Sequence, residues 1–234
     1  MPVTRVLLVG HGRMGRAIEA MSAQFDCEIA GRLTSRNNLH GEGIGPDKLS
    51  AVDVAIDFST ADAVIQNAPR LATLGINQVI GTTGWHDREA TVRETVAKTN
   101  IGVVAAPNMS VAVVLFQAII EQAAGLFASR DDFEAWVHEL HHSAKRDAPS
   151  GTARVLVAAM EKAGFSRRID VASTRAGFIP GTHIVGFEGP FDSVTLTHAA
   201  RDRATFARGA LEAARWVQGR RGWFTMRDVL GLPH

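Results

Sequence analysis

Residues 5–9 read Arg-Val-Leu-Leu-Val and run directly into Gly10-His11-Gly12-Arg13-Met14-Gly15, after which Ile18, Met21 and Phe25 recur at helical spacing. A short apolar run, a glycine-rich turn and an amphipathic helix are the opening of a βαβ unit. The glycines stand as G-x-G-x-x-G. In that context the first makes a tight turn, the second lets backbone N–H groups approach a pyrophosphate, and the third lets helix and strand pack closely. The helix N-terminus adds positive potential suited to phosphate. Gly10, His11, Gly12, Arg13, Met14 and Gly15 are therefore the expected dinucleotide-binding turn.

The pattern continues for about a hundred residues. Strand signals at 27–31, 52–58, 77–81 and 101–106 alternate with helical stretches, and the polar, glycine-rich 34–49 reads as loop. Pro69 interrupts the helix that follows the third strand and is expected to kink or break it. Strands alternating with helices imply a parallel sheet. After Asn108 the rhythm changes. A helix over about 110–128 leads into the strand-like 132–142, another helix follows Ala148-Pro149-Ser150-Gly151-Thr152, and strand-like runs at 169–174, 182–188 and 192–198 have only turns between them. Runs of strands without crossover helices suggest a mostly antiparallel sheet. The chain thus reads as an α/β domain followed by an α+β domain. A last helix over about 204–218 precedes Gly222-Trp223-Phe224-Thr225-Met226-Arg227-Asp228-Val229-Leu230-Gly231-Leu232-Pro233-His234, which has no core of its own and must dock on something.

Composition narrows the function classes. A formal charge of +1, with basic and acidic residues interleaved, gives no general attraction to nucleic acid or anionic lipid. The single cysteine, Cys27, cannot form an intramolecular disulfide, and the sequence fits a reducing cytoplasm. The N-terminus lacks the charged segment, apolar core and cleavage site of a signal peptide. The longest apolar stretch, 110–128, is broken by Gln117, Glu121 and Gln122, so it reads as a buried helix and not a membrane span.

A dinucleotide site usually carries an acidic residue about twenty positions beyond the first glycine, on the ribose hydroxyls. Here that place holds Gly31 and Arg32, followed by Thr34, Ser35 and Arg36. With no carboxylate there to repel a 2′-phosphate and a guanidinium to bind one, NADPH is expected to be accepted and preferred over NADH. Gly81-Thr82-Thr83 and Ala106-Pro107-Asn108-Met109 stand at expected carboxyl ends of parallel strands, where ligands of open α/β sheets bind. Each is equally readable as an ordinary turn capped by Thr or Asn.

The other concentration of chemistry is His141-His142-Ser143-Ala144-Lys145-Arg146-Asp147-Ala148-Pro149-Ser150-Gly151-Thr152-Ala153. Adjacent histidines at a strand end point to opposite faces. Histidine can donate or accept a proton near neutral pH, and lysine can hold a carboxylate or donate a proton. Pro149 suits a first helical turn, Ser150 or Asp147 can cap it, and Gly151 and Thr152 can offer N–H groups to an anion. Two adjacent strand histidines do not easily face one metal, and Cys27 is far away in the chain, so no metal is expected. By itself the segment is also readable as a polar loop with a helix cap.

This segment resembles the signature His-His-x-x-Lys-x-Asp-x-Pro-Ser-Gly-Thr-Ala of the 4-hydroxy-tetrahydrodipicolinate reductase (dihydrodipicolinate reductase) family. The likeness extends over almost the whole chain through Val-Gly-His-Gly-Arg-Met-Gly-Arg, Gly-Thr-Thr-Gly-Trp, Ala-Pro-Asn-Met-Ser-Val-Ala-Val and Ser-Thr-Arg-Ala-Gly-Phe-Ile-Pro-Gly-Thr-His. The resemblance implies hydride transfer from NADH or NADPH to a cyclic dicarboxylate in lysine (diaminopimelate) biosynthesis. It implies His141 as proton donor, Lys145 as carboxylate holder and proton assistant, and His142, Gly151 and Thr152 as carboxylate binders. Gly10 to Gly15, Gly81 to Thr83 and Ala106 to Met109 would line the cofactor. It further implies a Rossmann dinucleotide-binding domain over 1–108 and 203–234, with the C-terminal tail returning to it. The α+β domain over 109–202 would carry an open, mostly antiparallel mixed sheet that binds substrate and builds a homotetramer. Three departures stand out. The glycine turn is one residue shorter than the common form, the acidic residue frequent near position 31 is absent, and the loop after the second strand is short. Alternatives are another two-domain NAD(P) enzyme, such as an amino-acid dehydrogenase, or a nucleotide-sensing protein without catalysis.

Overall fold

The computed structural model describes residues 2–49 and 51–233; Met1, Ser50 and His234, which the expected domain boundaries include, lie outside the described residues. The chain divides into two compact units, Met1–Val111 with Arg203–His234, and Ala112–Asp202.

The first unit opens with β1 (Thr4–Val9), α1 (Arg13–Met21), β2 (Cys27–Leu33), α2 (Pro46–Leu49), β3 (Val54–Asp57), α3 (Ala61–Thr73), β4 (Asn77–Ile80), α4 (Glu89–Val96) and β5 (Gly102–Ala105). The second unit holds α5 (Val111–Ala128), β6 (Glu134–His141), α6 (Gly151–Lys162), β7 (Ile169–Arg175), β8 (Thr182–Glu188) and β9 (Ser193–Ala199). The chain then returns to the first unit as α7 (Ala204–Trp216), β10 (Gly222–Phe224) and α8 (Met226–Val229).

The first sheet runs β10-β5-β4-β3-β1-β2, and every pairing is parallel. Val6, Leu7, Leu8 and Val9 are all buried, as a strand covered on both faces requires. Because β1 lies between β2 and β3, the strand order reverses there, which opens a crevice at the carboxyl ends. Gly10, Phe58-Ser59, Gly81-Thr82 and Ala106 all follow these strand ends. The core-less tail docks as the sixth parallel strand: Trp223 stands opposite Val103, and Gly222 N–H donates to the Ile101 carbonyl at 3.0 Å. On α7, Gly209 meets the Met109 backbone so closely that a Cβ there would lie 1.7 Å from its carbonyl oxygen.

The helix with Pro69 is continuous from Ala61 to Thr73, so of the expected kink or break the break does not occur. Burial of Val64, Asn67, Ala68, Leu71 and Ala72 along one face holds it together through the missing N–H. The stretch 34–49 is loop except for the single turn of α2, which starts at Pro46, a residue preorganised for a first helical position.

The second sheet runs β7-β6-β8-β9, with β6 parallel to β7 and antiparallel to β8, and β8 antiparallel to β9. Phe116, Ile120, Leu156, Met160, Phe165, Val185 and Phe187 form its core. Each such side chain contributes about 1.5–3 kcal/mol by leaving water. Trp136 lies close over Gly186, where a Cβ would come 2.3 Å from the indole, and donates from Nε1 to Glu188 at 3.0 Å. By length and composition α5 could cross a membrane. One stripe of it, Phe116, Ile120 and Ala124, is core, while Leu115, Ile119 and Leu126 are exposed, so the expectation of a buried helix holds for one face only.

Candidate active-site residues

The glycine turn has the geometry that its three glycines suggest. Gly10 has φ +89°, and a Cβ on it would lie 2.5 Å from the Phe58 carbonyl oxygen. A Cβ on Gly15 would lie 2.3 Å from the Gly10 carbonyl oxygen, so helix and turn meet backbone to backbone. A Cβ on Gly12 would meet nothing within 4 Å, and Gly12 caps α1 without any side-chain acceptor. An open glycine before an uncapped helix N-terminus fits a pyrophosphate. Arg13 is exposed and Met14 is half-buried.

Around the turn, Asp57 is buried and accepts from Ser59 N–H at 2.9 Å, Ser59 Oγ at 2.6 Å and Thr82 Oγ1 at 2.8 Å. Burial pushes its pKa up against those hydrogen bonds. The Thr82 hydroxyl is thus turned inward and ties the loop after β4 to the loop after β3, while Thr83 is exposed. Gly81 packs under the Phe58 ring, where a Cβ would come within 2.3 Å. Ala106 N–H donates to the Ile80 carbonyl at 3.1 Å, Pro107 is exposed, and Asn108 Oδ1 accepts from Ser110 N–H at 2.9 Å. Met109 is buried, with its carbonyl against α7.

The sequence offers no carboxylate at the end of β2, but the fold supplies one from α1. Glu19 pairs with the Arg32 guanidinium through Oε1, and with His11 Nε2 through Oε2 at 2.5 Å. Hydrogen bonds from Arg32 and His11 lower its pKa to about 2. The guanidinium expected to stand ready for a 2′-phosphate is therefore engaged by an acid.

In the second unit, Glu139 and His141 share a face at the end of β6, as residues two apart on a strand do. Glu139 is fully buried. It accepts from Arg175 Nη1 at 2.9 Å and Nη2 at 2.6 Å, from Ser150 N–H at 3.2 Å, and lies 2.5 Å from His141 Nδ1. Burial opposes its charge, but hydrogen bonds from Arg175, Ser173 and His141 outweigh it and bring the pKa down to about 2. His141 shifts below its ordinary value of 6.5 because burial disfavours the cation, with Glu139 pulling the other way. A Cβ on Gly181, at φ +120°, would come 3.2 Å from His141 Nε2, so only glycine leaves that nitrogen clear.

Ser150 caps α6, accepting from Ala153 N–H at 3.2 Å, and its hydroxyl lies 3.0 Å from His183 Nε2. Pro149 precedes this cap after a cis peptide bond, so it stands outside the helix and not in its first turn. Lys145 Nζ donates to Asp147 Oδ1 at 2.8 Å, and that carboxylate's pKa falls chiefly through Lys145, with the Gly151 N–H a minor cause. A carboxylate from the chain itself thus rests on Lys145, the group read from sequence as a carboxylate holder. Thr152 is half-buried in the first turn of α6, and His142 is half-buried just beyond β6.

To the sequence candidates His141, Lys145 and Gly151 the structure adds Glu139, Arg175, His183 and Gly181 as neighbours that the sequence reading did not single out. Glu139 carried a signal: an acid two residues before a histidine on a strand shares its face. Arg175 carried none, because it is placed by the β6–β7 register, in which it stands opposite His141.

Two family models match the chain, "Dihydrodipicolinate reductase, N-terminus" over residues 4–109 and "Dihydrodipicolinate reductase, C-terminus" over residues 112–230. The chain belongs to the dihydrodipicolinate reductase family. A 4-hydroxy-tetrahydrodipicolinate reductase of Christiangramia forsetii is 33% identical, over 96% of this chain and 97% of its own length. One of Thiobacillus denitrificans is 37% identical, over 97% and 98%. The fold is similar to that of a dipicolinate-bound dihydrodipicolinate reductase from Paenisporosarcina sp. TG-14, with a TM-score of 0.81, 21% identity, and coverage of 96% of this chain and 98% of that one. Membership makes the chain an oxidoreductase whose Rossmann unit takes a pyridine nucleotide. The dihydrodipicolinate reductase models meet between residues 109 and 112, where α5 begins and the two compact units divide.

Proposed function

We propose that this chain reduces 4-hydroxy-tetrahydrodipicolinate to tetrahydrodipicolinate with NAD(P)H, in lysine and diaminopimelate biosynthesis. The observation that carries the reading is the grouping in the second unit of an imidazole held by a buried carboxylate with a lysine that already holds a carboxylate. In this reading the first unit binds the dinucleotide, and the second binds substrate and assembles a homotetramer. The reduced dinucleotide supplies a hydride to the substrate ring.

The chain's own residues position and protonate. Glu139 fixes the His141 proton at Nδ1, and Gly181 keeps Nε2 accessible. His141 takes up a second proton when a dianionic substrate arrives, because nearby negative charge favours the cation against burial. The substrate loses its 4-hydroxyl and a proton of the adjacent ring carbon as water, and His141 then delivers its proton from Nε2 to that adjacent carbon, beside the one that accepts hydride. Lys145 exchanges the Asp147 carboxylate for one of the substrate, and the Gly151 N–H, Thr152 and His142 complete the carboxylate site. Gly10, His11, Gly12, Arg13, Met14, Gly15, Arg32, Gly81, Thr82, Thr83, Ala106, Pro107, Asn108 and Met109 form the cofactor site. Arg32 inclines the choice towards NADPH by pairing with its 2′-phosphate. A buried free thiol at Cys27, raised to about 11 by burial, suits a cytoplasmic enzyme of this kind.

Product analysis tests the reading. Incubation with NADPH and the condensation product of pyruvate and aspartate semialdehyde is expected to yield tetrahydrodipicolinate by mass spectrometry. Oxidation of amino acids with NADP+ instead would indicate an amino-acid dehydrogenase. Dinucleotide binding without product would indicate a sensor.

A further inference from the structure

Three charged or titratable side chains from three separate elements meet at the mouth of the glycine turn. His11 lies within the turn, Glu19 on α1, and Arg32 at the end of β2. Glu19 is the hub and holds one partner with each carboxylate oxygen. We propose that Glu19 determines dinucleotide selectivity: it offers the carboxylate that the end of β2 lacks, and it competes with a 2′-phosphate for Arg32.

The argument rests on placement and charge, and on the reading of this turn as a pyridine-nucleotide site. An acid near the end of the second strand of a dinucleotide-binding unit accepts the ribose hydroxyls of NAD, while an arginine there accommodates the 2′-phosphate of NADP. Here Arg32 is the last residue but one of the second strand, and the acid reaches it from the helix. The Glu19 carboxylate stays ionised at any ordinary pH, since Arg32 and His11 hold its pKa at about 2. The side chains of Arg32 and Glu19 are 44% and 31% exposed, so their pairing is a surface ion pair, weak enough for a ligand to break. When NADPH binds, Arg32 turns from Glu19 to the phosphate and leaves the carboxylate beside a dianion. When NADH binds, the Glu19–Arg32 pair persists and the carboxylate accepts the hydroxyls. The preference for NADPH that Arg32 creates is thereby restrained, and both dinucleotides bind.

Calorimetric dissociation constants for NADPH and NADH decide the matter in wild type, Glu19→Gln, Arg32→Ala and the double variant, with no turnover required. Glu19→Gln is expected to shift the ratio of the two constants about 10-fold towards NADPH. Arg32→Ala is expected to weaken NADPH alone, and the double variant to lose the gain of Glu19→Gln. A Glu19→Gln variant in which both constants move by one common factor, or neither moves, overturns the assignment of Glu19 while the cofactor reading stands. A wild-type protein that binds neither dinucleotide overturns the cofactor reading and this inference with it.

Discussion

His141 and Glu139 lie on one face of β6 with imidazole Nδ1 2.5 Å from a carboxylate that is wholly buried. The carboxylate is itself held by both terminal nitrogens of Arg175, so the ring is fixed through a chain of two charged partners. A histidine oriented in this way presents one defined nitrogen, Nε2, to whatever enters beside Gly181.

The first prediction concerns that nitrogen. His141→Gln is expected to lower kcat by about 100-fold or more, as for loss of a positioned acid, with little change in NADPH dissociation constant. A change confined to KM would make His141 a binding residue only.

Glu139 acts through His141, so its removal is expected to alter both stability and proton delivery. Glu139→Gln leaves the half-buried Arg175 without its counter-ion and is expected to lower the melting temperature. Glu139→Asp keeps the charge and is expected to recover part of kcat that Glu139→Gln does not. Thermal melts and steady-state rates on the two variants separate these effects.

The pH profile should reveal the acid. In the free protein His141 titrates below 6.5, so kcat/KM is expected to fall as pH rises through a midpoint under 6.5. Bound dicarboxylate favours the imidazolium, so the corresponding fall in kcat should lie at higher pH. Coincident midpoints would contradict a proton taken up with substrate.

In the proposed mechanism Lys145 meets a substrate carboxylate in both ground state and transition state. Lys145→Ala is therefore expected to raise KM and lower kcat together, whereas loss of a purely transition-state contact would lower kcat alone.

His183 makes stability depend on pH. It is buried, and its pKa falls from 6.5 to about 4 through burial and the neighbouring His141 and His198. A base with a depressed native pKa binds its proton more readily when unfolded. Its contribution is full above pH 6.5 and is lost as pH falls towards 4. The loss is about 3 kcal/mol by linkage. Denaturant titrations of wild type and His183→Gln across that range should show the slope in the first and a flatter dependence in the second.

The parallel sheet and the glycine turn were legible because their signals are local. Residues 5–15 contain the strand, the turn and the helix start together. His141, Lys145 and Gly151 were legible for the same reason, all within one short segment. The Glu139–Arg175 pair was not, since it depends on the pairing of β6 with β7. Glu19 escaped too, because it meets Arg32 only when α1 folds back beside β2. Pro69 works in the opposite direction: the proline rule is local, and burial of one helix face carried the helix through without a break.

The most direct test of the central claim is the steady-state rate of NADPH oxidation with the condensation product of pyruvate and aspartate semialdehyde, measured for wild type and His141→Gln side by side. The account predicts substrate-dependent turnover by the wild type and a rate lower by about 100-fold or more for the variant at similar NADPH affinity. Wild-type protein that binds NADPH yet consumes none in the presence of this substrate would contradict it.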